Sequence, residues 1–447
     1  MTDVLAELVE ATRSRLAARR AGGHRFAAAL SKPGPRFILE LKRASPSEGV
    51  LRDPYDPAAI AAGYAGVADA ISVVTAEHCF GGSLEHLRAV RERVAEPLLC
   101  KDFFLDPAQV VEASRYGADA VLLMLSVLDD RSWHACADAA ASLGMDALTE
   151  VHDAHELQRA IALGAPIIGI NSRDLRTLRV DLAVVERLAP GIPPGRIVVA
   201  ESGIRSRDDV TRLARHVDAF LVGGSLMRSA EPAVAARELV HGRVKVCGLT
   251  SSDDARLAWA AGAAFGGLVF ASMSPRVVTE RRALEIAAAT PMPLAGVFVD
   301  EDPGRIARLA ESAGLAAVQL HGDESREAIV ALRDILPRGC EIWKGVRMRE
   351  DTDVPELEQT GADRLVLDGY RQGRHGGTGS AFAWERIPGG AIRNRIIVAG
   401  GITPGNAAAA ARLGCWALDV ASATEGAPGV KHPERMRRLF AALRTVT

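Results

Sequence analysis

Aromatic residues are scarce in this chain, 4% of the total, and no stretch interleaves them with lysine and arginine clusters. Stacking platforms flanked by phosphate-binding cations are therefore missing, and nucleic acid is not an expected partner. An excess of one charge is missing too: 54 basic residues face 56 acidic ones. No apolar run approaches the roughly 18 residues of a membrane span, so no membrane partner is expected. The six cysteines, Cys79, Cys100, Cys136, Cys247, Cys340 and Cys415, include no C-x-x-C pair. That scatter suggests neither a zinc site nor a disulfide framework, so no metal and no cofactor is expected and a reducing cytoplasm is the default compartment. The opening segment Asp3 to Arg20 holds several arginines, but Asp3, Glu7 and Glu10 speak against a transit peptide.

What the chain does have is repetition. IVVAESGI (Ile197–Ile204) and FLVGGS (Phe220–Ser225) read as two buried strands that end in polar residues and glycine. IIVAGGI (Ile396–Ile402) and LDVAS (Leu418–Ser422) repeat the arrangement, and Gly203 to Gly224 spans as many positions as Gly401 to Ser422. Glycine at a strand tip lets main-chain N–H groups approach an anion without a Cβ in the way. Paired loops of this kind after the last two strands of a (β/α)8 barrel form phosphate cradles. A chain of 447 residues exceeds what one core supports, and two cradles imply two domains. Short apolar runs alternate with helical-length patterns eight times from FILELK (Phe37) to FLVGG (Phe220), and eight times again from VKVCGL (Val244) to ALDVAS (Ala417). The expected fold is α/β, two tandem (β/α)8 TIM barrels, over residues 1–242 and 243–447.

Residues at the C-terminal strand ends of a barrel converge on one mouth. In the first half these are Glu40, Lys42, Lys101, Glu150, Asn171, Arg173, Glu201 and Ser202. Glu40 and Lys42 are two apart on one strand and share a face. Lysines and carboxylates in one cavity shift each other's pKa values, the usual route to a general acid and a general base. A lone lysine or glutamate at a strand end is most often a solvated rim residue or half of an ion pair. A set of them at consecutive tips beneath a phosphate cradle is harder to dismiss.

The strings FILELKRASPS, CKDFF, LLMLSVLDD, LTEVH, GINSRDL and AESGI are similar to indole-3-glycerol-phosphate synthase over nearly the whole first half. That resemblance implies decarboxylation, ring closure and dehydration of 1-(2-carboxyphenylamino)-1-deoxyribulose 5-phosphate. It implies Lys101 as the general acid at the ketone oxygen and Glu150 as a base or a stabiliser of cationic amine. Glu40 and Lys42 would assist later proton transfers, with Lys42 also holding the substrate carboxylate. Asn171, Arg173 and Glu201 would position the substrate. Ser45, Ser202, Gly203, Gly223 and Gly224 would hold the phosphate end, and Phe103 would wall the anthranilate ring.

In the second half, VKVCGLT places Cys247 at the first strand tip, with Gly248 leaving its sulfur accessible, and RLVLD places Asp368 at the sixth. A base and an acid across one mouth is what sugar isomerisation requires. A free cysteine alone is usually a small buried hydrophobe, and an aspartate at a strand end is often a helix cap. Their company is SPR at Ser274–Arg276, QLHGDE at Gln319–Glu324, GGTG at Gly376–Gly379 and the second cradle. Those strings resemble phosphoribosylanthranilate isomerase. The resemblance implies Cys247 as general base, Asp368 as general acid, Arg276 on the anthranilate carboxylate, His321 in a binding role, and Gly379, Gly400, Gly401 and Ser422 on the phosphate. Ala421 departs from the asparagine expected before Ser422, but main-chain N–H groups and Ser422 remain for phosphate. A related barrel isomerase of histidine biosynthesis uses two aspartates, and Cys247 argues against it. A thiol ionised enough to act as base should also alkylate faster than the other five cysteines.

The product of the second half is the substrate of the first, so the chain resembles a fused tryptophan-biosynthesis enzyme, its domains in reverse order of the reactions. The expected partners are small phosphorylated anthranilate-sugar substrates, and the expected state is a monomer. One active barrel beside a retained scaffold, or a tandem phosphate-binding regulator, are the alternatives; complete acid–base sets in both halves speak against them.

Overall fold

The computed structural model describes residues 24–348, 354, 357–369 and 382–444. Gly379, the rest of the GGTG string and the segment Asp3 to Arg20 lie outside them. The chain divides into two compact units, the first ending at Ala236 and the second running from Arg237.

The first unit is a closed parallel barrel of eight strands, Arg36–Leu41, Ala70–Val74, Leu98–Lys101, Ala120–Met124, Asp146–Val151, Ile167–Asn171, Ile197–Glu201 and Ala219–Val222. Each pairs with its successor, and the first pairs with the last through Phe37 and Phe220. Buried on both faces, these strands are continuous apolar runs without polar alternation. The lower interior holds Ile38, Leu99, Leu148 and Val199, and Phe26 and Leu30 of the helix Arg25–Leu30 pack against them. That helix packs over the N-terminal end, where Asp146 at the start of its strand accepts from Ala27 N at 2.9 Å. The loops leaving that mouth turn into helices on strong N-caps. Asp106 and Gln109 form a reciprocal capping box, and Asp153 accepts from Glu156 N.

The second unit repeats the design with Val244–Cys247, Phe265–Val269, Leu294–Phe298, Ala317–Leu320, Glu341–Met348, Arg364–Gly369, Ile396–Val398 and Ala417–Val420. Its interior is stopped by rings: Phe265, Trp343 and Trp416 meet with centroids 5.5–5.7 Å apart. Arg364 and Arg243 stack on Trp416 at 3.5 and 4.4 Å, which keeps their charge against an aromatic face at the barrel end. The helix Pro232–His241 contains the division between the units. Arg237 lies 3.2 Å from the Trp259 ring centre, and His241 meets Phe440 edge-on. Gly262 ends the helix Ser252–Ala261 in the left-handed region, and a Cβ there would run into the His241 ring.

All sixteen apolar runs are barrel strands. Two hairpins went unread, Ala44–Ser45 with Gly49–Val50 and Glu425–Ala427 with Val430–Lys431. Strands of two or three residues inside loops are too short to show a period.

Candidate active sites

In the first barrel the inward residues of the last strand turns meet around one ammonium. Lys101 Nζ lies 2.9 Å from Glu201 Oε2, 3.4 Å from Glu40 Oε2 and 4.0 Å from Glu150 Oε2. Lys42 pairs with the other Glu40 oxygen at 2.8 Å. Glu40, Glu150 and Glu201 are 3%, 1% and 0% exposed. Burial disfavours charge on all of them, so the outcome depends on partners. Burial would lower Lys101, but the three carboxylates outweigh it and hold the ammonium well above the usual lysine range. Burial would raise Glu40, but Lys42 and Lys101 bring it to about 2. Glu150 and Glu201 also touch each other. Burial and the charge of Glu150 push Glu201 up against the pull of Lys101, whereas His152 and Lys101 overcome burial and hold Glu150 below its usual value. The site therefore keeps one firmly protonated lysine beside two ionised carboxylates, Glu40 and Glu150, an acid and bases in one cavity.

Glu40, Lys42, Lys101 and Glu150 line that cavity. Glu201 is not among the lining residues; it is fully buried, 2.9 Å from Lys101. Its room comes from Gly169 on the preceding strand, where an added Cβ would overlap Glu201 Oε1. Gly223 likewise leaves space for Glu40, whose own Cβ would lie 2.8 Å from a side chain there. Gly169→Ala should therefore displace Glu201 and loosen Lys101. Overpacking costs about 1–3 kcal/mol and a misplaced group about 10²-fold in rate. Indole formation should fall by about that factor while the isomerase rate of the same preparation holds; an unchanged synthase kcat would show that the strand absorbs the methyl.

The phosphate end is built from two tied loops. Ser202 and Gly203 have φ of 62° and 85°, and Ser225 Oγ donates to Ile204 O at 3.1 Å, joining the loops after the seventh and eighth strands. Gly223 and Gly224 line the same end. Ser45 Oγ is buried there without a hydrogen-bond partner among the described residues, an acceptor and donor left for a ligand. Asn171 Oδ1 accepts from Arg173 N at 3.0 Å, and Arg173 Nη1 reaches Ser47 Oγ and Leu178 O, so both sit at the rim with defined orientation. Phe103 is 44% exposed on the cavity wall, 6.4 Å from Phe80, an aromatic pair at the mouth.

In the second barrel Cys247 and Asp368 line one cavity with His321, Arg276, Gly400, Gly401 and Ser422. A side-chain chain crosses it. Lys245 Nζ donates to Asp419 Oδ2 at 2.7 Å and to Gln319 Oε1 at 2.9 Å. Gln319 Nε2 lies 3.1 Å from His321 Nδ1, and His321 Nε2 lies 3.4 Å from Asp368 Oδ2. Asp368 Oδ1 is buried without a partner among the described residues. Burial pushes the Cys247 thiol up, against the pull of Lys245 and Lys431. Cys247 is half-buried and Cys79 is exposed, so reagent access favours Cys79. A Cβ on Gly248 would run into the Arg276 side chain, so the glycine makes room for Arg276 beside the half-buried Cys247. Arg276 gives Nε and Nη2 to Glu425 at 2.8 and 2.7 Å, so a ligand carboxylate meets Nη1 or displaces Glu425. Gly400 and Gly401 both hold positive φ, 79° and 68°, at the cradle.

The sequence reading missed His152, Lys245, Gln319, Asp419 and Glu425. A signal existed for two of them. His152 and Lys245 each lie two positions from a residue already singled out, Glu150 and Cys247, and so share its face. Among the described residues no group of three or more His, Cys, Asp or Glu side chains is arranged to hold a metal ion.

Residues 5–239 match the family model of indole-3-glycerol phosphate synthase, and residues 244–442 that of N-(5'-phosphoribosyl)anthranilate isomerase. Proteins described as tryptophan biosynthesis protein TrpCF are similar over most of their length. The one from Yersinia pestis is 45% identical over 91% of this chain and 84% of its own. The one from Vibrio parahaemolyticus is 43% identical over 99% and 95%. Among solved structures, phosphoribosyl anthranilate isomerase from Thermus thermophilus aligns with 45% of this chain and 98% of its own, at 39% identity and a TM-score of 0.40.

Proposed function

The chain belongs to the family that fuses indole-3-glycerol phosphate synthase to N-(5'-phosphoribosyl)anthranilate isomerase, and from that premise we propose how its residues divide the two reactions. It is a bifunctional enzyme of tryptophan biosynthesis acting on phosphorylated substrates.

In the second barrel Asp368 protonates the ribose ring oxygen, and Cys247 takes the proton from the adjacent carbon as the open chain becomes a ketose. His321 holds Asp368 from behind, which leaves Oδ1 for the substrate. Arg276 receives the anthranilate carboxylate through Nη1, and Gly400, Gly401 and Ser422 take the phosphate. In the first barrel Lys101 protonates the ketone oxygen as the ring closes. Glu150 removes the proton that comes off as the indole forms, and Glu40 with Lys42 serves the loss of water. Lys42 also meets the leaving carboxylate, Phe103 walls the ring, Asn171 and Arg173 orient the chain, and Ser45, Ser202, Gly203, Gly223 and Gly224 take the phosphate. The observation that carries this reading is the single ammonium held among three buried carboxylates at the floor of a cavity whose other end offers an unpaired Ser45 hydroxyl. The purified chain should convert N-(5'-phosphoribosyl)anthranilate to indole-3-glycerol phosphate unaided, read as loss of anthranilate-type fluorescence and gain of indole product; accumulation of the ketose with no indole would overturn the first-barrel roles.

The boundary at Gly242–Arg243 belongs to the same proposal, as does a monomer. Each cavity is lined by residues of one unit, so neither needs a second copy. Charged phosphorylated substrates do not cross a bilayer unaided, which supports residence in the cytoplasm where they are made. Residues 243–447 should fold alone, but without the Arg237–Trp259 and His241–Phe440 contacts. A piece starting at Glu231 should therefore melt several degrees higher, about 4 °C per kcal/mol regained. Equal melting temperatures would show that the helix contributes nothing to the second barrel.

A further inference from the structure

The first-barrel reaction consumes a proton. The substrate enters as a carboxylate and leaves as indole product, carbon dioxide and water. Two protons go to oxygen, one at the ketone during ring closure and one at the departing hydroxyl. One proton comes off as the new double bond forms. One per turnover must therefore enter from solvent, and a substrate in the cavity covers Lys101 and Lys42, whose side chains are otherwise 19% and 16% exposed there, while Glu150 is buried behind them.

We propose that His152 and Glu156 form the proton inlet of the first barrel, acting through Glu150; this rests on the role given to Glu150 above. The imidazole stands between two carboxylates, with Nε2 3.3 Å from Glu150 Oε1 and Nδ1 3.0 Å from Glu156 Oε2. The Glu150 side chain is 2% exposed and those of His152 and Glu156 are 13%, so the line runs outward from the interior. Inward, Glu150 Oε2 is 4.0 Å from Lys101 Nζ. His152 is absent from the cavity wall and reaches the reaction only through Glu150. Local structure fixes the array: the His152 main-chain N–H donates to the same Glu156 oxygen at 2.8 Å, and Glu156 sits in the first turn of the helix Ala154–Ala162. Burial works against charge on the ring, but Glu150 and Glu156 outweigh it and keep His152 protonated up to about 10.

Glu150 hands the proton it takes from the substrate to Lys101. The imidazolium, after a small turn that aligns its 3.3 Å contact, passes its Nε2 proton to the emptied Glu150, and Lys101 relays it through Glu40, 3.4 Å away, to the Lys42 pair that supplied the departing hydroxyl. The neutral ring turns about its Cβ–Cγ bond and regains a proton from water or buffer acid on the Glu156 side. No other bond is made or broken. A ring with two nitrogens of suitable basicity is the side chain fitted to this transfer. A simple clip holding Glu150 would use the same contacts, so the test must separate carrying from holding.

His152→Ala in the full chain should lower synthase kcat about tenfold or more with KM nearly unchanged, and the residual rate should rise with added imidazole and with buffer concentration. Glu156→Gln should give a smaller loss in kcat. His152→Gln, which keeps a hydrogen bond but carries no proton, should be as slow as His152→Ala. Near-UV circular dichroism and the melting curve of each preparation report the fold of the first barrel, and isomerase turnover that of the second. The proposal is overturned if His152→Ala keeps wild-type kcat, if imidazole does not rescue it, or if His152→Gln restores the rate. Glu150→Gln tells the two failures apart: if it is inactive while the His152 variants are normal, only the inlet is wrong, and if it turns over normally, the role of Glu150 falls as well.

Discussion

Lys101→Ala should all but abolish indole formation and leave the isomerase running. Loss of a positioned general acid costs about 10²–10⁴-fold, and the isomerase cavity has its own residues. The structure adds a consequence. Lys101 is the common cation of Glu40, Glu150 and Glu201, and removing it leaves three buried carboxylates facing one another. Breaking a buried pair by deleting one partner costs about 3–5 kcal/mol, so the variant should also melt earlier. With the cation gone, Glu40 loses one of the two charges that hold it near 2 and should titrate higher. The sign follows: a carboxylate held low stabilises the fold above its unfolded pKa, and that stabilisation is lost as pH falls toward the folded value. Without Lys101 the folded value moves toward the unfolded one, so Glu40 contributes less stabilisation and its loss on acidification is complete at higher pH. Near-UV circular dichroism at 25 °C shows whether the first barrel is folded, and indole synthesis within about threefold of wild type would remove Lys101 from the role of acid.

Cys247→Ser should cost the isomerase a similar about 10²–10⁴-fold and leave the synthase untouched when it is given its own substrate. Serine is nearly isosteric, but its hydroxyl is far less acidic and yields almost no anion at neutral pH. The surroundings sharpen the expectation. Gly267 stands opposite Cys247 in register, and a Cβ there would lie 2.8 Å from the sulfur, so the pocket is shaped around this side chain. Burial raises the thiol, and Lys245 and Lys431 are the charges that oppose it. Serine gains the same support and still cannot ionise. A packed core thiol would instead tolerate the change with a small loss of stability. Turnover is the decisive readout, because an alkylating reagent meets the exposed Cys79 first. An isomerase rate near wild type would return Cys247 to the core, whatever the melting temperature.

The strand count, the closure into barrels and the roster of tip residues were legible in the chain. Each depends on local pattern: continuous apolar runs, glycine at tips, and alternation that carries Glu40 and Lys42 to one mouth. Cys247 and Asp368 were found in the same way and do share a cavity. What only the tertiary structure decided is which tip residue touches which. Lys101 and Glu201 are neighbours from the third and seventh strands, and Lys245 is joined to Asp419 from the first to the eighth. Their depth is set by the stagger between strands, which no single strand encodes. That stagger sets Glu201 against Lys101, turns Arg276 onto Glu425, and makes Gly169 and Gly267 the spaces in which Glu201 and Cys247 lie. Alternation says which way a side chain points; only the closed barrel says what it meets there, because closure brings together residues a hundred or more positions apart.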